Sequence, residues 1–69
     1  MICPKQQELM AVVQDILTHL AELARAEAEA VQYKTENTWM EIDRQIERAI
    51  GQKERAIGAL RQHMQEHGC

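Results

Sequence analysis

The chain has 69 residues and a formal charge of −3, with no phenylalanine, one tryptophan and one tyrosine. That length holds one domain at most, spanning residues 1–69, and buries so little that oligomerisation, a disulfide or a metal is expected to add stability. Ala, Glu, Gln, Leu, Ile and Arg dominate, the single proline is Pro4 and no glycine precedes Gly51. This composition excludes a β-sandwich or barrel and predicts an all-α fold.

Acids and bases are interspersed. Arg44, Arg48, Arg55 and Arg61 lie along the second half, but acids interrupt them, so they read as a solvated face. No basic stripe of the kind that binds a duplex is present, and nucleic acid is not an expected partner. The longest apolar run, "LMAVV", stops at Gln14, so no membrane span is expected. The opening "MICPKQQE" lacks the basic-then-apolar build of a signal peptide, and the expected compartment is cytoplasmic.

Helix 1 is expected from about Pro4 to about Tyr33. Cys3 stands at the N-cap, Pro4 suits the first helical position, and Gln6 stands where a capping-box partner would. Leu9, Val13, Ile16, Leu20 and Leu23 alternate four and three apart, flanked by Met10, Val12, Leu17 and Ala24. At about 100° per residue this set covers an arc of roughly 160°, wider than one neighbouring helix can cover. Beyond Leu23, Ala24, Ala28 and Val31 are expected to continue the buried side while Glu22, Arg25, Glu27 and Glu29 face water.

A turn is expected at about residues 34–37. Thr38 with Glu41 fits a capping box, Asn37 is an alternative N-cap, and Trp39 beside Tyr33 would plug the closed end. The rival is one unbroken helix of roughly 95 Å paired with a second chain, because the turn contains neither Gly nor Pro. Helix 2 is expected from about Thr38 to about His67. Its seam would be Trp39, Ile42, Ile46, Ile50, Ile57, Leu60 and Met64, with Ala49 and Ala56 beside it. "ERAIGQK" followed by "ERAIGAL" repeats with a period of seven. Gly51 and Gly58 each cost about 1 kcal/mol in a helix interior, which a close helix–helix approach or a kink would have to offset.

Folding back between Thr35 and Asn37 sets residue n opposite residue 72 minus n. Val12 would then meet Leu60, Ala21 would meet Gly51, and Cys3 would fall opposite Cys69. Three chemistries follow at that open end. A Cys3–Cys69 disulfide would close nearly the whole chain, worth about 4 kcal/mol in the chain-entropy picture. Cys3, His63, His67 and Cys69 would make a Cys₂His₂ set suited to zinc, although the paired C-x-x-C spacing of a finger is missing. Otherwise the thiols are free, Gly68 caps the helix, and the histidines face the negative end of its dipole. His19 reads as a polar boundary residue opposite Lys53.

Two helices make a groove rather than a pocket, and no nucleophile–base–orienter set or Glu-x-x-His di-metal motif is present, so no enzyme is expected. The expected architecture is an antiparallel two-helix hairpin dimerising into a four-helix bundle through Leu9, Val13, Ile16, Leu17, Leu20, Ile50, Ile57 and Leu60. The expected role is a scaffold or interaction module without a cofactor, the apolar face taking a second copy or a helix of another protein. The rival class is a metal-binding or thiol-redox module built on the terminal Cys and His residues.

Overall fold

A computed structural model describes residues 3–67. Helix α1 spans Pro4–Tyr33 and helix α2 spans Glu36–His67. They pack against each other along a thin slab with Cα extents of 49 × 17 × 10 Å. The hairpin therefore replaces the single long rod.

Local chemistry sets the ends. Cys3 is the N-cap of α1 in extended backbone (φ −70°, ψ 124°), and Pro4 follows it. Proline costs nothing there, because its missing N–H would have had no partner within the helix. Gln7 N–H donates to the Cys3 carbonyl at 3.0 Å, while the Cys3 side chain caps nothing. At the other end Lys34 turns extended, and its N–H still donates to the Ala30 carbonyl at 2.8 Å.

The turn is shorter than the spacing predicts. The N–H groups of Thr38 and Trp39 both donate to the Thr35 carbonyl, at 3.0 and 3.3 Å, and the hydroxyls of Thr35 and Thr38 lie 3.1 Å apart. Thr35 thus takes the N-cap position expected of Thr38, through its carbonyl rather than its hydroxyl, and α2 begins at Glu36 rather than near Thr38. Glu36, in the first turn, meets the positive end of the helix dipole. Glu41 is released from the expected capping box and pairs with Arg44 at 3.0 Å and Arg48 at 3.6 Å. All three side chains are at least half exposed, so these pairs contribute little.

The seam alternates steps of four and three. On α1 it runs Leu9, Val13, Ile16, Leu20, Leu23, Glu27 and Ala30. On α2 it runs Trp39, Ile42, Ile46, Ala49, Lys53, Ala56, Leu60 and His63, all buried or half-buried. Such a repeat is the geometry of a coiled-coil seam. Following it strictly moves the closed half away from expectation. Glu27, expected in water, lies half-buried in the seam, whereas Ala24, Ala28 and Val31 are exposed. Ile50 and Met64 leave the seam for its flank, Ala49 and His63 take their places in it, and Ala56 takes that of Ile57, which stays at the boundary.

Three further expectations are corrected. Tyr33 is 74% exposed, so the plug at the closed end reduces to half-buried Trp39. No helix crosses closely at the glycines: a Cβ on Gly51 would meet only the Arg55 guanidinium at 3.6 Å, and one on Gly58 would meet nothing within 4 Å. The shorter turn also lowers the register. Cys3 lies beside His63 and Glu27 beside Asp43, while Val12 and Ala21 are exposed instead of meeting Leu60 and Gly51.

Candidate functional site

The seam is thin. Among the described residues only Leu23, Ala30 and Ala49 are buried, and two of these are alanines. The larger apolar side chains lie beside it. Met10, Leu17, Ala24 and Val31 recur every seven residues on α1, each one position after a seam residue. Asp43, Ile50, Ile57 and Met64 do the same on α2. Because the helices run in opposite directions, these equivalent rows fall on the same side of the seam. They form one broad, mostly apolar face, on which Met10, Leu17, Val31, Ile50 and Met64 are between 39% and 59% exposed. An apolar trough of about 370 Å³, lined by Ile57, Leu60, Arg61, Met64 and Gln65, marks its open half.

The opposite broad face differs. Its rows are Val12, His19, Ala26 and Tyr33 on α1 and Thr38, Gln45, Gln52, Ala59 and Glu66 on α2, a mixture that water solvates well. Of the residues expected at an interface, Leu9, Val13, Ile16, Leu20 and Leu60 lie half-buried between α1 and α2. Leu17 and Ile50 stand on the apolar face, with Ile57 at its boundary with the seam. Met10, Val31 and Met64 are missing from that expected set. The signal that finds them is their spacing of seven from Leu17, Ala24 and Ile57.

The open end collects the other candidates. Cys3 Sγ lies 3.2 Å from His63 Nε2, and the His63 and His67 rings lie 4.6 Å apart, tilted by 35°. Among the described residues no group of three His, Cys, Asp or Glu side chains is arranged to hold a metal ion. The Cys3–Cys69 bridge and the four-ligand zinc set both need Cys69, which with Gly68 lies outside the described residues. Near the closed end, a side-chain hydrogen bond that Glu27 donates to Asp43 when protonated is the main cause that raises the Glu27 pKa, with desolvation and the Asp43 charge adding to it. A carboxylate at a seam position, beside a second one, holds a proton more readily than it would in water.

No helix among the described residues is long and apolar enough to cross a membrane. No protein family, curated protein or solved structure matches the chain.

Proposed function

We propose that this chain is a non-enzymatic, cytoplasmic helical interaction module whose apolar face receives a second copy, giving a four-helix bundle. The observation that carries this reading is the row of five large apolar side chains left in water on one broad face, against two, Val12 and Tyr33, set among small and polar neighbours on the other. Three considerations favour a second copy as the occupant. The broad face measures about 49 by 17 Å, and a stable interface occupies about 800 Å² per partner. The hairpin's own seam buries too few side chains to supply a full core, and pairing two such faces would create one. The rim of α2 carries Glu47, Glu54 and Arg61, so an antiparallel copy can set Glu47 against Arg61 of its partner twice, with one facing pair of Glu54 carboxylates between them.

Sedimentation equilibrium on the wild-type chain and two variants tests this. Ile50→Glu puts a charge on the apolar face, and Val12→Glu puts one on the opposite face. A dimer is expected at micromolar concentration, weakened about thirtyfold or more by Ile50→Glu, since an unpaired buried charge costs at least about 2 kcal/mol. Val12→Glu should leave it intact. A monomeric wild-type chain, or a dimer that Ile50→Glu does not touch, ends this reading.

A further inference from the structure

We infer that Cys3 is an activated thiol that forms mixed disulfides with small-molecule disulfides, with His63 as the group that takes and returns its proton. This is a stoichiometric modification site at the open end. It lies at the end of the row that continues through Met10 and Leu17, beside the proposed docking face.

The placement comes from three elements of the fold. Cys3 is the N-cap of a 30-residue helix, where the partial positive charge of the helix terminus favours a thiolate over a thiol. The antiparallel pairing brings His63 from the other end of the chain to 3.2 Å from the sulfur, within the reach of a nucleophile for its base. Cys3 is only half-buried, so a small reagent can reach it. His67 packs its ring against that of His63 at 4.6 Å and limits where the imidazole can turn.

The step balances without an outside oxidant beyond the disulfide itself. In the tautomer that carries its hydrogen on Nδ1, His63 Nε2 accepts the proton from Cys3 Sγ. The thiolate attacks one sulfur of the small disulfide. A new S–S bond forms as the old one breaks, and the departing thiolate leaves with the electron pair and takes the proton back from His63. One thiol is consumed and one is released.

The magnitude follows from two opposing effects. A free cysteine thiol, with a pKa near 8.5, is about 1% ionised at pH 6.5, so full ionisation offers roughly a hundredfold more nucleophile. The thiolate of a more acidic thiol is less nucleophilic, which cuts the gain to about tenfold.

The test uses the full chain with Cys69→Ser, so that Cys3 is the only thiol, and a chromogenic aromatic disulfide as the probe. The rate of mixed-disulfide formation is followed from pH 5 to 9. The same chain unfolded in urea serves as the reference, and His63→Gln is compared while far-UV circular dichroism monitors the helices. At pH 6.5 the folded chain should react about tenfold faster than the unfolded one, with a shallower rise toward high pH. His63→Gln, with its helices intact, should lower the rate and steepen the pH profile toward the unfolded reference, leaving only the share that the helix terminus supplies. Two results overturn the inference: a folded chain that reacts no faster than the unfolded one, or one whose rate His63→Gln leaves unchanged. If His63→Gln unfolds the hairpin, the folded-to-unfolded comparison decides alone.

Discussion

The seam and the face beside it use similar residues to different ends. The seam holds the hairpin closed with modest means: Leu23, Ala30 and Ala49 buried, isoleucines and leucines half-buried, and Glu27, Lys53 and His63 interrupting them. The neighbouring face carries Met10, Leu17, Val31, Ile50 and Met64, and the only charge in its two rows of seven is Asp43. Small residues in the seam let the two backbones approach, which pushes the longer side chains of the adjoining rows outward. A narrow seam and a wide exposed face are thus two consequences of one pattern, and each can be perturbed separately.

The largest effect is expected in the seam. Leu23 is the one large side chain there that is buried, at 8% exposure. Leu23→Ala removes its packing and leaves a gap that two helices can only partly close, so a loss of about 2–3 kcal/mol is expected. Urea unfolding at fixed protein concentration measures it. A loss below about 0.5 kcal/mol, the size of an ordinary surface substitution, would show that the seam is not where the hairpin is held.

The outer rim of α2 should respond in the opposite direction. Gly58 has open space around the place a Cβ would occupy. Gly58→Ala therefore gains helix propensity with nothing to displace, and a stabilisation of about 1 kcal/mol is expected. A destabilised Gly58→Ala would mean that another backbone covers this rim, and would move the docking surface from the row of Ile50 and Met64 to the row of the glycines.

These contrasts mark what the bare sequence made legible. The start of α1 was readable because Pro4 has no other comfortable place in a helix, and the seam of the open half because Leu9, Val13, Ile16, Leu20 and Leu23 keep the three-four step unaided. The turn was not, since "TENT" offers two threonines three apart and either can cap. Which one does so depends on where α1 stops hydrogen bonding. That ambiguity propagates: moving the centre of a hairpin turn by one residue shifts every partner across the seam by two. The pairing of Cys3 with His63 and the true neighbours of the glycines both hung on it. Beyond Leu23 the apolar residues are small and the seam takes in Glu27, so hydrophobicity alone pointed to the wrong face.

Glu27 supplies the smallest effect and the finest test of that seam. Its pKa is raised from the ordinary 4.5, first by the hydrogen bond with Asp43. A carboxyl whose folded pKa lies above its unfolded value binds its proton more tightly in the folded chain. Its favourable contribution is complete below pH 4.5, and it fades as pH rises through the raised value. Above that raised value the contribution is gone. Acidification across this window should therefore stabilise the hairpin slightly, against the usual trend for acidic proteins. Asp43→Asn removes the partner's charge and should flatten the gain, which thermal melts between pH 7 and 4.5 would register as a smaller rise in Tm than in the wild-type chain. A full rise in that variant would place the responsible carboxyl elsewhere and return Glu27 to the solvated side, where its neighbours Glu22 and Glu29 stand.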